Sequence, residues 1–284
     1  MSKDIKVVRT VKDLRKQIAK WRSGGKTIAL VPTMGALHDG HLSLVELAAK
    51  KSDKVVVSIF VNPRQFGPKE DLAHYPRDEA ADLLKLSTTD ANLVWAPGVE
   101  EMYADGFATQ IVMEGPAEFL EGEFRPHHFG GVGTVCCKLF NQVSPDIAIF
   151  GEKDYQQLCV LRQMVRDLNL PLTLIGAPTK RAADGLAMSS RNAYLTAPER
   201  KIAPVLYATI SELANDIAKG ADVTAACAAA KLKLRNAGFQ KIDYLDVCDA
   251  QTLRVASGAQ GESLRILVAA FVGKTRLIDN VAVP

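Results

Sequence analysis

The sequence has no long hydrophobic run and no apolar leader. None of its apolar stretches approaches the roughly 18 to 20 residues that a helix needs to cross a membrane. The opening stretch, MSKDIKVVRT, lacks the apolar core of a signal peptide. We therefore expect a cytoplasmic protein without a membrane partner.

The sequence also lacks a large excess of positive or negative charge. The net charge is +3 over 284 residues, and Lys and Arg are interleaved with Asp and Glu instead of forming a stripe. Proteins that bind nucleic acid usually concentrate cationic side chains on one face or along one helix. We therefore expect no nucleic-acid partner, whereas a local site for a small anion remains open.

Cysteine is sparse, and its pattern suggests no pairing. The five cysteines are an odd number, and no two of them form a CxxC pair. A scattered, odd set suits reduced thiols in a core better than a disulfide framework. These residues are Cys136, Cys137, Cys159, Cys227 and Cys248.

Strand-like and helix-like segments alternate through the longer, N-terminal part of the chain. Segments with apolar residues at helical spacing separate short apolar runs that are typical of strands. Such alternation predicts parallel pairing with right-handed crossovers, and hence an α/β fold with a doubly wound, Rossmann-like parallel sheet. The predicted strands lie at 27–32, 54–63, 91–97, 146–151 and 170–178.

The pattern changes after residue 177. Two alanine-rich helical stretches, 198–220 and 223–238, are followed by short alternating runs at 241–249, 265–273 and 275–281. This order predicts a second, smaller α+β domain. We therefore divide the chain into a Rossmann-like domain at 1–177 and a smaller domain at 178–284.

The stretch PTMGALHDGH, residues 32–41, follows a predicted strand and leads into a predicted helix. Ligands of open parallel sheets bind beyond the carboxyl ends of the strands, where helix N-termini offer unpaired N–H groups to an anion. His38 and His41 can face the same side of the first helical turn, and Gly40 lets an anion approach the backbone. This pattern is typical of a site for a phosphate whose charge grows during a reaction.

Two other roles fit the same two histidines. They could bind a metal ion, although no third ligand of fitting spacing lies nearby in the sequence. His41 could also only cap the helix or pack against it. The HDGH residues alone do not decide between a ligand site and a structural role.

Three further polar clusters lie at the ends of predicted strands or at the domain junction. DGLAMSSRN (184–192) offers two hydroxyls and a guanidinium, which suit phosphate oxygens. GEKDYQQ (151–157) offers a cation in Lys153 and an acceptor for ribose hydroxyls in Asp154. NPRQF (62–66) offers uncharged amides beside phenylalanines, which suit a small hydroxylated ligand with an apolar body. The first two clusters also fit structural roles, as a serine-rich turn and a charged helix start.

Five motifs, PTMGALHDGH, FVNPRQFG, HYPRD, GEKDYQQL and DGLAMSSRN, occur in an order and at separations that closely resemble those of the pantothenate synthetase family, the pantoate–β-alanine ligases. The likeness runs from about Thr27 to Leu195 and continues weakly beyond. HDGH is similar to the HIGH-type signature of the nucleotidylyltransferase superfamily, and MSSR takes the place of its KMSKS-type loop. The resemblance implies that ATP and pantoate form pantoyl adenylate and pyrophosphate, and that β-alanine then displaces AMP.

The residue chemistry and the resemblance together predict three groups of site residues. The expected catalytic group stabilises the reacting phosphate, and it consists of His38, His41, Lys153, Ser189 and Arg191. The expected ATP contacts are Met34, Gly35, Ala36, Leu37, His38, Asp39, Gly40, His41, Gly151, Glu152, Lys153, Asp154, Lys180, Met188, Ser189, Ser190 and Arg191. The expected pantoate contacts combine amides with apolar groups, and they are Pro32, Thr33, Met34, Asn62, Gln65, Phe150 and Gln157.

The resemblance also implies the partners of the protein. ATP is expected with Mg²⁺ as a co-substrate, without a prosthetic group, and the sequence names no ligand for the metal. Pantoate and β-alanine are the expected small-molecule substrates, and a homodimer is the expected assembly. The smaller domain, which carries MSSR, is expected to act as a lid that excludes water.

Three residues depart from the family pattern. Arg64 stands where relatives more often carry methionine, and we expect it to alter the edge of the pantoate pocket. Gly130 and Gly133, in FGGVGT, stand where bulkier residues are usual. They are expected to precede a helix and to make its start flexible.

Two other functions remain open from the sequence. One is a nucleotidylyltransferase that acts on a phosphorylated small molecule, although a phosphate-bearing acceptor would call for more cations than NPRQF offers. The other is a non-catalytic ATP-binding sensor, since the same fold supports both binding and turnover.

Overall fold

The computed structural model describes residues 4–68, 70–256 and 263–284, and these residues form two sheets. The first sheet contains six strands, which are β1 (Val7–Val8), β2 (Ile28–Thr33), β3 (Lys54–Ile59), β4 (Leu93–Trp95), β5 (Ile147–Gly151) and β6 (Thr173–Ala177). The second contains β7 (Lys241–Asp249), β8 (Leu264–Val272) and β9 (Thr275–Ala282).

Ten α-helices lie within the described residues, and they separate the strands of the first sheet or precede those of the second. They are α1 (Val11–Ser23), α2 (Asp39–Lys51), α3 (Glu79–Leu86), α4 (Val99–Met102), α5 (Glu121–Phe124), α6 (His128–Val143), α7 (Tyr155–Asp167), α8 (Ala197–Ile202), α9 (Val205–Ala218) and α10 (Val223–Ala237).

The first sheet is parallel throughout, in the order β1-β4-β3-β2-β5-β6. Its strands are apolar on both faces because helices cover both sides. Alternate residues of β2 enter different cores: Leu30 packs with α1, α6 and α7, whereas Val31 packs with α2 and α3. The predicted doubly wound α/β fold is therefore confirmed.

The second sheet is an antiparallel meander in the order β7-β8-β9. Leu206 and Ile210 of α9 and Leu234 of α10 pack on it in a hydrophobic core of their own. The predicted smaller α+β unit is thus present. The division of the chain at residue 178 stays a prediction.

Two helices differ from the sequence prediction. The helix α6 begins at His128, so Gly130 and Gly133 lie inside its first two turns and do not precede it. The single helix predicted at 198–220 is divided between Ile202 and Val205, because Pro204 has no N–H to continue the helical hydrogen bonds. Among the helices of the described residues, we find none with the length and apolarity that crossing a membrane would require.

The strand order creates a crevice between β2 and β5. From β2 the chain moves one way to β3 and β4, and β5 then pairs on the other side of β2. The segments that follow β2 and β5 therefore separate at their carboxyl ends and leave room for a ligand. HDGH follows β2, and GEKDYQQ begins at the end of β5.

Candidate functional site

A cavity of about 640 Å³ lies at this crevice and extends to the second sheet. Its volume is in the range of small-molecule sites. The wall contains most of the site residues predicted from the sequence. These are Pro32, Thr33, Met34, His38, Gly40, His41, Asn62, Gln65, Phe150, Gly151, Lys153, Asp154, Gln157, Lys180, Met188, Ser189, Ser190 and Arg191.

Five residues predicted to contact ATP lie outside the residues that form this wall. Leu37 is only 2% exposed and packs in the core between the first sheet and α2. The roles of these residues as ATP contacts stay predictions. They are Gly35, Ala36, Leu37, Asp39 and Glu152.

The two histidines of HDGH form a capping box at the start of α2. Nδ1 of His38 accepts a hydrogen bond from the Gly40 N–H at 3.1 Å, and Nδ1 of His41 accepts from the His38 N–H at 3.3 Å. In a neutral imidazole whose Nδ1 accepts, the proton resides on Nε2. The structural role and the ligand role are thus compatible, because each ring keeps an Nε2–H donor.

Burial keeps both imidazoles neutral. It lowers the pKa of His38 to about 4, and the nearby ammonium of Lys153 acts in the same direction. Burial also lowers the pKa of His41 to about 3, to which the His38 ring adds. The ring centroids are 4.1 Å apart. At neutral pH the pair therefore presents two N–H donors to an anion without carrying charge.

The turn after β5 brings a cation and a carboxylate to the histidines. Glu152–Asp154 is a single 3-10 turn, and Nζ of Lys153 lies 3.5 Å from a carboxylate oxygen of Asp154. Burial opposes the ionisation of Asp154, but the charges of Lys153 and Arg191 outweigh it and lower its pKa. Lys153 and Arg191 therefore act on the same small region.

The MSSR loop, Met188–Arg191, lies beside HDGH. A Cβ added to Gly40 would lie 3.5 Å from the Cβ of Met188, so the two segments run close to each other. Ser189 Oγ accepts a hydrogen bond from the Arg191 N–H at 3.3 Å, which caps a 3-10 helix that begins at Ser190. The two clusters that the sequence predicted for phosphate therefore meet at one wall of the cavity.

Helix α3 holds the loop between β2 and HDGH. A carboxylate of Asp82, 2% exposed, accepts hydrogen bonds from the N–H groups of Ala36 at 2.9 Å and Leu37 at 2.7 Å. Lys85, one turn later, donates to the Leu37 carbonyl at 2.6 Å. Gly35 supplies the left-handed backbone, with φ +81°, that this turn requires. The sequence analysis missed Asp82, since its contacts are 45 and 46 positions away.

The amide of Gln65 is oriented from two sides. Its Oε1 accepts a hydrogen bond from Asn62 Nδ2 at 3.1 Å, and its Nε2 donates to the sulfur of Met34 at 3.2 Å. Asn62 is 1% exposed, and it also bonds the Gly131 carbonyl and the Tyr103 hydroxyl. These contacts make Asn62 a residue that positions Gln65, and its direct contact with pantoate stays a prediction.

The two adjacent glutamines at the start of α7 differ in their partners. Gln156 is 4% exposed, and its amide bonds the Pro116 and Phe119 carbonyls and the Glu121 N–H. Gln157 has no side-chain hydrogen bond within the described parts of the chain, and it lines the cavity. Of the pair, Gln157 is therefore the one available to a ligand.

Apolar side chains form the floor of the cavity beside these amides. Phe150, at the end of β5, packs its ring edge-on against Phe140 at a centroid distance of 6.3 Å. Residues of α6 complete the apolar surface. The apolar residues of the wall include Pro32, Phe60, Val132, Val135, Leu139 and Phe150.

The departures from the family pattern lie beside the cavity. The Arg64 guanidinium stacks on Tyr103 and Phe107, at 5.4 and 5.3 Å from their ring centroids, and Arg64 does not line the cavity wall. Gly133 faces Met113. Gly131, between Gly130 and Gly133, has no room for a side chain, because a Cβ there would lie 2.2 Å from the Arg64 carbonyl oxygen.

A buried ion-pair network closes the cavity toward the second sheet. Glu121, 6% exposed, accepts from the Tyr244 hydroxyl at 2.9 Å and pairs with Arg276 at 2.6 Å and Arg125 at 3.3 Å. Burial opposes the ionisation of Glu121, but the two guanidinium groups lower its pKa. The partners of Glu121 come from both predicted domains, Arg125 from the first and Tyr244 and Arg276 from the second. No local sequence signal indicated the role of Glu121.

Within residues 4–68, 70–256 and 263–284, no group of three or more His, Cys, Asp or Glu side chains could hold a metal ion. The interpretation of HDGH as a metal site therefore has no support from the described geometry. The five cysteines are free thiols, as expected.

Comparison with known proteins identifies relatives along the whole chain. A family model for pantoate-beta-alanine ligase matches residues 6–282. The chain is 52% identical over 284 residues to a pantothenate synthetase of Bradyrhizobium sp. strain BTAi1, with 100% of both chains covered. It is also 52% identical over 279 residues to that of Caulobacter vibrioides, with 98% of each chain covered.

Solved structures agree with these relatives. A pantothenate synthetase from Thermus thermophilus superposes with a TM-score of 0.92 at 46% identity, over 98% of this chain and 99% of that chain. A pantoate-β-alanine ligase from Francisella tularensis, solved with beta-gamma ATP and β-alanine, superposes with a TM-score of 0.82 at 33% identity, over 98% and 97% of the two chains. This chain therefore belongs to the pantoate–β-alanine ligase family of enzymes.

Proposed function

We propose that the protein joins pantoate to β-alanine in two steps at the expense of ATP. In the first step, the pantoate carboxylate attacks the α-phosphorus of ATP, the bond to the pyrophosphate oxygen breaks, and pantoyl adenylate forms. In the second, the amine of β-alanine attacks the acyl carbon, AMP leaves, and the amine loses a proton. One observation carries this proposal: the neutral His38 and His41 pair lies beside Lys153 and the MSSR loop in one cavity wall.

The first step needs alignment and charge stabilisation more than acid–base chemistry. A carboxylate is already ionised at neutral pH, so no general base is required. Negative charge develops on the phosphate oxygens in the transition state. The Nε2–H groups of His38 and His41, the ammonium of Lys153, and the side chains of Ser189 and Arg191 are the donors that we assign to those oxygens.

The opposite part of the cavity suits pantoate. Neutral amides both donate and accept, so Gln65 and Gln157 match hydroxyl groups better than cations would. The apolar floor around Phe150 suits the two methyl groups of the acid. A phosphate-bearing acceptor fits less well, since the Arg125 guanidinium beside Gln65 is already paired with Glu70 and Glu121.

ATP enters in this proposal as its Mg²⁺ complex, with the metal as part of the substrate. Gly151, Asp154, Lys180 and Ser190 complete the proposed nucleotide contacts. The domain at 178–284 acts as a lid that keeps water from the mixed anhydride. A homodimer is expected from the resemblance, and a cytoplasmic location is expected from the sequence.

A substrate-omission assay tests the function. Purified protein with ATP, Mg²⁺, pantoate and β-alanine should release AMP, and omission of either organic substrate should abolish AMP release. Labelled pyrophosphate should enter ATP only when pantoate is present, because adenylation is reversible. Pyrophosphate release without AMP would instead indicate a nucleotidylyltransferase, and ATP binding without turnover would indicate a sensor.

A further inference from the structure

The last strand of the second sheet reaches the turn that carries Lys153. The side-chain amide of Asn280, in β9, donates from Nδ2 to the carbonyl oxygens of Glu152 and Lys153, both at 2.9 Å. These bonds join residues 128 and 127 positions apart in the sequence. Asn280 is 3% exposed, so water does not compete for them.

The orientation of this amide is fixed by its other partner. Nε of Arg265 donates to Asn280 Oδ1 at 2.7 Å, and a guanidinium has no acceptor atom. The oxygen must therefore face Arg265, and the NH₂ group must face the two carbonyls. Arg265 is held in turn by stacking on Tyr155, 3.7 Å from the ring centroid.

Asp279, the residue before Asn280, holds the segment that leads into the MSSR loop. Asp279, also 3% exposed, receives a two-pronged ion pair from Arg181 at 2.6 and 2.9 Å. Arg181 also donates to the Gly185 carbonyl at 3.1 Å, and its backbone forms a β-bridge with Ala187, just before the MSSR loop. Adjacent strand residues point to opposite sides, so one dipeptide reaches both segments.

We propose that Asp279 and Asn280 are positioning residues that set the distance between the Lys153 turn and the MSSR loop. Asn280 acts through Lys153, and Asp279 acts through Arg181 on the loop. Neither residue needs to touch the substrates. This inference rests on the proposed function of the same cavity, since it assigns both segments to ATP.

Asn280→Ala tests the first contact. Removal of both donors should lower the rate of pantoate-dependent exchange of pyrophosphate into ATP by about 10- to 100-fold, the loss that a displacement near 1 Å can cause. Asn280→Asp keeps the shape but sets a carboxylate against two carbonyls, so it should lose at least as much. Full exchange activity in Asn280→Asp would overturn the proposal.

A double-variant comparison separates positioning from general stability. In a Lys153→Ala background, Asn280→Ala should reduce exchange by less than about threefold further, because the group that it positions is already gone. If the rate losses of the two single variants multiply in the double variant, Asn280 does not act through Lys153. Val272→Ala, which truncates a buried β8 residue away from the turn, is the matched control and should lower the melting temperature without the loss of rate.

ATP affinity gives a readout that does not depend on the ligase reaction. Calorimetry should show weaker ATP binding to Asn280→Ala and to Asp279→Asn, by about tenfold, and unchanged binding to Val272→Ala. If the unaltered protein binds ATP but exchanges no pyrophosphate, the proposed function fails while this measurement still decides the positioning role. Equal ATP affinity in the unaltered protein and all three variants would overturn it.

Discussion

The imidazole of His41 has a structural role and a proposed catalytic role, and different substitutions can separate the two. Its Nδ1 caps α2, and its Nε2–H is the donor proposed for the reacting phosphate. His41→Ala should lower the adenylation rate about 100- to 1,000-fold, the usual loss for one such donor. His41→Asn should lose a similar factor while keeping an acceptor for the His38 N–H, and hence the stability.

Pyrophosphate exchange and thermal unfolding check this prediction together. His74→Ala, at an exposed histidine, is the control and should retain activity. Adenylation at the normal rate in both His41 variants would remove His41 from the catalytic group.

Buried histidines make stability depend on pH. His128 is 8% exposed, and burial lowers its pKa from 6.5 to about 4. Between these two values the unfolded chain binds a proton that the folded chain does not, so stability falls as the pH is lowered from 7 toward 4. From pH 7 to pH 5, this one residue should remove about 2 kcal/mol of unfolding free energy.

Urea unfolding at pH 7 and pH 5 measures the effect. His38 and His41 act in the same direction, because their pKa values are lowered too. In His128→Asn, the loss of unfolding free energy between pH 7 and pH 5 should be smaller by about 2 kcal/mol, the amount assigned to this residue. An unchanged difference would mean that His128 titrates normally in the folded protein.

The first turn of α7 places the buried amide of Gln156 beside Gln157, the amide proposed to bind pantoate. Gln156→Ala should cost about 1–3 kcal/mol of stability, because it leaves buried partners unpaired. Gln157→Ala should change stability by less than about 0.5 kcal/mol and raise the KM for pantoate. Urea unfolding and steady-state kinetics of the two variants check the contrast, which a reversed pattern would contradict.

Elements were predictable where one apolar pattern dominates. The runs at β2, β3 and β5 are apolar throughout because helices cover both faces, and the sequence alone indicated them. The start of α6 was missed, since Gly130 and Gly133 have low helix propensity. Tertiary packing overrides this propensity, because the helix passes so close to the Arg64 carbonyl that Gly131 admits no side chain.

The candidate site residues also differ in whether a local sequence pattern indicates them. HDGH, GEKDYQQ and MSSR could be proposed as site segments because each is a local cluster next to a predicted strand or a domain junction. Asp82 bonds the loop just before HDGH from 45 positions away, and Asn280 bonds the Lys153 turn from 127 positions away. Nothing in the sequence near either residue indicates its partner, so only the folded arrangement identifies them.

The two parts of the whole molecule meet at a buried carboxylate. Glu121→Gln should cost about 1–3 kcal/mol, because it removes a buried carboxylate that two guanidinium groups share, although Arg276 keeps Asp243 and Arg125 keeps Glu70. Glu212→Gln, which breaks an exposed ion pair with Lys233, should cost less than about 1 kcal/mol. Urea unfolding of both variants checks the prediction, and equal losses would contradict it.

The contacts of β9 impose an order on the maturation of the site. A ribosome makes the Lys153 turn 127 residues before Asn280, and N-terminal domains generally fold first during synthesis. The first sheet can thus form on a nascent chain while the turn that carries Lys153, the proposed phosphate donor, still lacks its bonds to Asn280. Adenylation competence should therefore emerge only after the final strand leaves the exit tunnel and docks.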